Sequence, residues 1–514
     1  MAVSILVPIA VTGVYMLTQV FTSDMEYEAV IGLEVHAQLL TQSKMFCSCN
    51  AGYQDAPPNT IVCPVCMGMP GVLPVINERA VQLVIMTGLA LGSTISHQTK
   101  FDRKNYPYPD LMKGYQISQY DLPIAYGGAL TVESGDAERQ VGITRVHLEE
   151  DVAKLLHRNE PHGEAYSLMD INRAGVPLME IVGEPDLRSP EEARSYLTRL
   201  RTILRYIEVS TANMEEGSFR CDANISLRPR GAEEYGAKVE VKNMNSFRAV
   251  YRALGYEIER QTRALQEGER IGQETRGWVE ERAVTVSQRS KEYASDYRYF
   301  PEPDLPPLVI DPEWVAEIEG RLPELPLARR TRFVRDYALP EYDAGLLTAS
   351  KDTADYFERV LVAAPAANGD QSRMAKSASN WILGELARLL NATGGRISDI
   401  PVKPEQIAGL LSLIDDGTLS SSMAKTVFEE MFETGRPPGE IAEATGMVQL
   451  SDTDAVSQAV GKAIDSNPKP VADYLGGKET AMRFLVGQVM KITRGKANPK
   501  VVAELLEEKL GSLR

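Results

Sequence analysis

Cysteine is scarce in this chain: five in 514 residues. That excludes a disulfide-framed secreted scaffold, and four of the five fall close together, as reduced thiols serving one site would. Basic residues are in deficit as well, with 55 Lys and Arg against 71 Asp and Glu and a net charge of −16. A protein that coats nucleic acid non-specifically needs the opposite balance, although a local basic patch remains compatible with this one. No Walker A loop is present, since Gly476-Gly477-Lys478-Glu479-Thr480 lacks the upstream glycine and the hydroxyl directly after Lys478. Neither a protein-kinase nor a Rossmann signature appears, there is no convincing Ser-His-Asp set, and repeats and low-complexity tracts are missing. Any use of ATP therefore requires another architecture.

What is present fits a folded chain of roughly three domains. Hydrophobic residues make up 43% and charged residues 25%, near the averages for globular proteins. Residues 1–22 carry no charge and are long enough to span a bilayer. They lack the basic start and small-residue cleavage site of a secretory signal. Residues 1–24 are expected to be an extension upstream of the natural start; a membrane anchor or a buried segment are the other readings.

From about Tyr27 to Arg298 the texture is short and β-like. Val239-Glu240-Val241-Lys242 and Arg220-Cys221-Asp222-Ala223-Asn224-Ile225-Ser226 alternate with period two, as strands with one buried face do. A glycine-bounded stretch between them predicts a hairpin. One long helix is expected within this region, from the cap Ser189-Pro190-Glu191-Glu192 to about Tyr206. After Phe300 comes a proline-stiffened connector, Pro301-Glu302-Pro303-Asp304-Leu305-Pro306-Pro307. Helical periods follow, at residues 352–364, 376–391, 404–416, 423–434, 480–493 and 499–510.

Three constellations can carry chemistry. Cys47 and Cys49 with Cys63 and Cys66, 13 residues between the pairs, suit a tetrahedral metal. Zinc is the default, closed and structural; an iron–sulfur cluster, a redox pair or unbound core thiols are the alternatives. Cys221 reads as core. Glu34 and His36 project together from a strand, His147-Leu148-Glu149-Glu150-Asp151 puts three acids after a histidine, and Glu240 sits between Lys238 and Lys242. Oxygen ligands with one imidazole fit Mg²⁺ or Mn²⁺, whereas each motif taken alone also reads as a solvated or structural feature. Residues 101–124 concentrate Asp102, Arg103, Lys104, Lys113 and four tyrosines, a composition that binds phosphate and stacks a base, or makes a well-ordered polar loop. Finally, residues 481–500 hold Arg483, Lys491, Arg494, Lys496 and Lys500 and no acid. In an acidic chain this asymmetry reads as an RNA-facing surface, or as a helix whose basic ends serve solubility.

Together these stretches resemble one family, the B subunits of aspartyl/glutamyl-tRNA(Asn/Gln) amidotransferases. The similarity is carried by Val30-Ile31-Gly32-Leu33-Glu34-Val35-His36, residues 101–119 and 143–151, Met169-Asp170-Ile171-Asn172-Arg173 running on to Met179-Glu180, residues 214–224, 239–246 and 296–304, Phe484-Leu485-Val486-Gly487-Gln488, and Ala497-Asn498-Pro499. It runs in order from about Met25 to the C-terminus. The resemblance implies an α+β fold: a mainly antiparallel β-sheet cradle with helices (25–300, with the four-cysteine zinc loop at 47–66), then an all-α helical domain (301–400) and a helical, tRNA-binding tail domain (401–514). It implies a cytoplasmic ATP-dependent ligase, with no stable membrane partner, that works in a heterotrimer with an amidase-type A subunit and a small C subunit. Such a ligase phosphorylates the side-chain carboxylate of Glu-tRNA(Gln) or Asp-tRNA(Asn) and amidates it with ammonia from the partner.

In residue terms, the resemblance places Mg²⁺ at Glu34, His36, Glu149, Glu150 and Glu240. Adjacent Glu149 and Glu150 cannot both point inward from a regular strand, so a bulge or strand end is expected there. Arg173, Arg220 and Lys242 are candidates for phosphate contacts, and Asp222 and Asn224 for lining the site or an ammonia tunnel. The cysteines match a zinc-bearing subset of the family. A zinc-stabilised tRNA-binding scaffold without chemistry of its own is the alternative function.

Overall fold

The computed structural model describes residues 27–512 except 136, 159–164, 291–296, 365–370, 447–452, 479, 494–496 and 498. The extension expected at residues 1–24 therefore lies outside the described residues. No described helix is long and apolar enough to cross a membrane.

The chain forms two compact units, residues 1–325 and 326–514. The first is built on a ten-stranded sheet. Its central strands are β1 (Tyr27–Gln38), β4 (Ala137–Glu150), β5 (Pro177–Gly183), β6 (Phe219–Pro229) and β7 (Val239–Lys242), and β8 (Glu274–Val279) and β9 (Val284–Ser290) complete one side. The order is β9-β8-β7-β6-β1-β5-β4, continued by two short strands, and the tenth strand, Ala129–Ser134, pairs with the start of β4 off this path. Every pairing is antiparallel except β7 with β8. The expected hairpin is β6–β7, with Asn224 opposite Glu240. Two short strands, β2 (Asp102–Asn105) and β3 (Tyr115–Ser118), pair in a separate small sheet.

Period two explains why the large sheet stays together. Ile31, Leu33, Val35 and Ala37 of β1 are buried in one cluster with Met179, Ile181, Leu148, Ala223, Ile225 and Val241. Helices α2 (Pro190–Tyr206) and α3 (Phe247–Gln266) cover this apolar face with Leu197, Leu200, Leu204, Val250, Leu254 and Ile258. The alternate positions carry the polar side chains of the opposite face.

Helix α2 spans the expected residues. Ser189 Oγ accepts from the Glu192 amide at 3.1 Å, and the Glu192 carboxylate accepts from the Arg188 amide, one residue earlier than a capping box requires. Two further long helices correct the expectation of one. Helix α1 (Glu78–Ala90) buries nine of its thirteen residues, so it has almost no polar stripe to betray its period. Helix α3 did carry a legible 3.6-residue period, in Ala249, Val250, Ala253, Leu254 and Ile258.

The boundary expected at Phe300 lies 25 residues later in the chain contacts. Phe300–Pro301 pairs with Asp102–Arg103, and Leu308–Val309 pairs with Gln98–Thr99. Prolines suit such edge positions because an edge strand can spare an amide donor. Glu302 is buried against Arg103, two bonds of 2.7 Å joining carboxylate to guanidinium. Helix α4 (Pro312–Glu319) then adds Ile318 to the core of the first unit.

The second unit is all helix among its described residues. The division expected at 400 falls inside one core, since Ile407, Leu410 and Leu411 pack with Phe357, Val360 and Ile382. Gly394, at φ 64°, ends the preceding helix, and the stretch to Pro404 holds one short 3-10 helix, Ile397–Asp399, between packed helices. A separate cluster forms from residues 456–510.

Tyr196 lies wholly inside the first core, and its hydroxyl has no hydrogen-bond partner among the described residues. Removing an unsatisfied buried hydroxyl relieves a desolvation cost of roughly 1 kcal/mol or more. Tyr196→Phe is expected to stabilise the chain by about that amount in denaturant titration. A destabilised variant would show that the hydroxyl is bonded in solution.

Candidate active site

The polar face of the sheet builds the site by register alone. His36 lies opposite Glu180, and Glu180 opposite His147, so three adjacent strands put these side chains in a row. Glu149, two residues after His147, faces the same way. His36 Nε2 stands 3.3 Å from Glu180 and 3.6 Å from Glu149, and His147 Nε2 stands 3.6 and 3.9 Å from the same two carboxylates. Ligand atoms of His36, Glu149 and Glu180 lie within 4.8 Å of one another. Ser118 Oγ donates to Glu149, and Arg145 approaches Glu180 at 3.6 Å.

Two carboxylates buried this deeply need positive charge. Burial opposes ionisation of Glu180, yet the His147 and His36 rings hold its carboxyl well below the usual range. Burial likewise opposes charging of His36, and the Glu180 hydrogen bond with the Glu180 and Glu149 charges still raises its pKa. Lys104 of β2 behaves the same way: burial works against its charge, and Glu149, Tyr299 and Glu180 outweigh it. One imidazole and two carboxylates from rigid strands are a donor set that fits Mg²⁺ or Mn²⁺.

The five residues expected to hold Mg²⁺ take four separate placements. His36 and Glu149 meet in the cluster, joined by Glu180. Glu34 projects from the same face, two residues before His36, and accepts from Asn224 Nδ2 at 2.9 Å. Glu240 accepts from Thr275 Oγ1 at 2.8 Å and stands 3.4 Å from Lys242, which also bonds Asp222 at 2.5 Å. Glu150 is placed apart. Strand β4 ends there in regular register, so Glu150 faces away from Glu149. Lys113 Nζ lies 2.7 and 2.8 Å from its two oxygens, and the Ile117 amide donates to it. Burial pushes its pKa up.

Among the phosphate candidates, Arg220 lies opposite His36 and reaches Asp151 at 2.9 Å. Arg173 donates to the Val152 and Ala153 carbonyls. The tyrosine-rich segment forms the rim: β3 supplies Ser118 and Ile117, Tyr120 stacks on Tyr299 with ring centres 4.5 Å apart, and Lys104 Nζ sits 5.1 Å from the Tyr297 ring. Glu180 is the residue that sequence reasoning missed. Its signal was the alternation Leu178-Met179-Glu180-Ile181, but only strand pairing sets it beside His36.

The four clustered cysteines do meet, with their sulfurs within 4.8 Å of one another. A hydrogen bond from Cys47 holds the Cys66 thiol down to about 4, and the buried Lys44 helps at 3.8 Å. The same bond pushes Cys47 up, and burial pushes Cys49 up to about 11. Four sulfurs sharing protons beside a buried cation fit a closed tetrahedral ion. Cys221 is buried in the apolar core. In the basic segment Arg483 and Lys491 are exposed on the helix Thr480–Ile492, and Lys500 belongs to the helix Pro499–Gly511. Arg494 and Lys496 lie outside the described residues.

Residues 29–316 match the family described as the GatB/GatE catalytic domain, and residues 356–510 match the GatB domain. The B subunit of the aspartyl/glutamyl-tRNA(Asn/Gln) amidotransferase from Dehalococcoides mccartyi is 56% identical over 487 residues, 94% of this chain and 99% of the relative. Its counterpart from Carboxydothermus hydrogenoformans is 55% identical over 488 residues, 95% of this chain and all of the relative. The Moorella thermoacetica protein of the same name is 56% identical over 486 residues, with 95% and 100% covered.

Proposed function

The chain belongs to the GatB/GatE amidotransferase family, and from that premise we propose that it is the subunit that activates and amidates the side-chain carboxylate of Glu-tRNA(Gln) or Asp-tRNA(Asn). The carboxylate oxygen attacks the γ-phosphorus of ATP and ADP departs. Ammonia then attacks the acyl carbon and phosphate departs, leaving Gln-tRNA(Gln) or Asn-tRNA(Asn). A carboxylate is a poor electrophile because its leaving group is oxide; phosphorylation supplies a good one.

The observation that carries this reading is the His36–Glu149–Glu180 set on the polar face of the sheet. These residues would hold Mg²⁺, with Glu34 and Glu240 on flanking positions. When bound, the ion supplies neutralisation of the phosphate charge during transfer. Arg220 and Lys242 offer cations to transferring phosphate, and Lys104 with the tyrosine rim receives the substrate end. The four cysteines would hold a structural zinc. The basic residues Arg483, Lys491, Arg494, Lys496 and Lys500 form the tRNA contact. Ammonia comes from an amidase-type A subunit, with a small C subunit completing a cytoplasmic heterotrimer.

The test uses the complex with both partner subunits, mischarged tRNA, Mg²⁺, ATP and glutamine, following ADP and amidated tRNA. Glu149→Gln is expected to abolish both products while tRNA still binds. Amidation that persists in Glu149→Gln would move the chemistry elsewhere and leave this chain a tRNA-holding scaffold. ATP breakdown without tRNA or partners would make it a hydrolase.

A further inference from the structure

The four-cysteine loop touches more than its own sulfurs. Residues 43–76 contain one isolated bridge, Ser43 with Asn50, and neither a helix nor a longer strand. A loop so poor in backbone pairing takes its shape from side-chain contacts and from whatever ties the sulfurs together. It is joined to the end of β4 by two separate routes.

The first runs through Lys113. Gly68 adopts φ +65°, and a Cβ there would stand 2.4 Å from Lys113 Cγ and 3.2 Å from its Cα. The loop backbone thus lies directly on Lys113. Phe46, the residue before Cys47, places its buried ring 4.9 Å from Lys113 Nζ. Lys113 in turn clamps both oxygens of Glu150, the chain neighbour of Glu149.

The second runs through the turn Asp170–Arg173. Asn172, fully buried, donates to the Pro57 carbonyl at 2.7 Å and accepts from the Ile61 amide at 2.8 Å. The Asn59 backbone amide donates to the Asp170 carboxylate, and its side chain accepts from the Ile171 amide and donates to the Met169 carbonyl just before the turn. Arg173 then reaches Asp151 at 3.5 Å and donates to the Val152 carbonyl. Lys44 links this route to the sulfurs, because its Nζ donates to the Ile61 carbonyl at 2.9 Å and lies 3.8 Å from Cys66 Sγ.

We propose that the four-cysteine loop positions the end of β4 for cation binding, by pressing Lys113 onto Glu150 and by fixing the turn that sets Arg173 against Asp151. The proposal rests on the reading of His36, Glu149 and Glu180 as a divalent-cation site. Glu149 is followed directly by two carboxylates, Glu150 and Asp151, whose partners Lys113 and Arg173 the loop holds, so its placement depends on the loop. Partners bonded directly to a metal ligand change metal affinity by roughly 10- to 100-fold when lost, and these, bonded to the ligand's chain neighbours, are assigned the lower end of that range. Phe46, Gly68, Asn59 and Lys44 act as positioning residues.

Mn²⁺ binding to the full-length chain, read from the electron paramagnetic resonance of the free ion, tests it without any assay of turnover. Gly68→Ala obstructs the first route. Asn59→Gly weakens the second, removing the two bonds made by the Asn59 side chain, and keeps the positive φ of 61° at that position. His36→Ala serves as the control for the site itself, and elemental analysis gives zinc content. Both loop variants are expected to bind Mn²⁺ at least about tenfold more weakly, Asn59→Gly with its zinc retained. Stripping zinc from the wild-type chain should weaken Mn²⁺ binding comparably, with recovery when zinc is returned. Unchanged Mn²⁺ affinity in both variants and in the stripped chain, with binding that His36→Ala abolishes, overturns the positioning role alone. Mn²⁺ binding that is absent from the wild type, or indifferent to His36→Ala, overturns the cation-site reading and the positioning role with it.

Discussion

Glu180→Gln is expected to lower the rate of tRNA amidation by about 10²–10³-fold, comparable to losing a charge-stabilising group in other active sites, or about 3–4 kcal/mol of barrier. The substitution keeps the shape of the side chain and removes its charge. Glu180 stands between His36 and His147, and it brings the second carboxylate into the three-residue set. The loss should appear first as weaker binding of Mg²⁺, so that raising Mg²⁺ recovers part of the rate. Mischarged tRNA should bind as before, because the charge change lies on the floor of the sheet. A variant with wild-type amidation at limiting Mg²⁺ would remove Glu180 from the site. Glu150→Gln makes the informative companion: with Lys113 as its partner, its loss should act through strand placement and respond less to added Mg²⁺.

Glu257→Leu is expected to destabilise the first unit by about 3 kcal/mol, the lower end for breaking a buried ion pair by removing one partner. Glu257 of α3 is fully buried and accepts from Arg260 at 2.8 Å, Gln261 at 3.0 Å and Thr285, with Arg276 Nε at 3.2 Å. Leucine would leave two guanidinium groups, 23% and 14% exposed, with Glu274 as the one carboxylate they still share among their described ion pairs. The effect extends toward function, since Arg276 shares β8 with Thr275, whose hydroxyl holds Glu240. Urea unfolding should show a lower midpoint with an unchanged slope. A midpoint within experimental error of wild type would mean that water replaces the carboxylate.

Several features were open to reading from residues alone, for local reasons. The helix Pro190–Tyr206 announces itself through Ser189 and Pro190, because a helix start is decided by the few amides that need a cap. The β6–β7 hairpin follows from alternation, and the four cysteines from their spacing. The C-terminal helices show their periods because one face of each meets solvent. Where the pattern was missing, burial was the cause: α1 is apolar nearly all round, and a buried helix has no period to display. The connector at Pro301–Pro307 looks like a linker in composition, yet its flanking residues complete sheet edges laid down two hundred residues earlier.

The site divides along the same line. Sequence by itself determined the family, the sheet-then-helix order, and the residue types on each strand face, because strand period two is a property of neighbours along the chain. It placed Glu34 with His36, and it named Glu149. Only the tertiary structure decided which carboxylates meet. Glu180 joins His36 and His147 through pairing with two different strands, the first more than a hundred residues away, whereas Glu150, adjacent to Glu149, is turned toward Lys113 and away from the cluster. Pairing register is set by the whole sheet and its packed apolar face, so the company that each carboxylate keeps is a property of the fold.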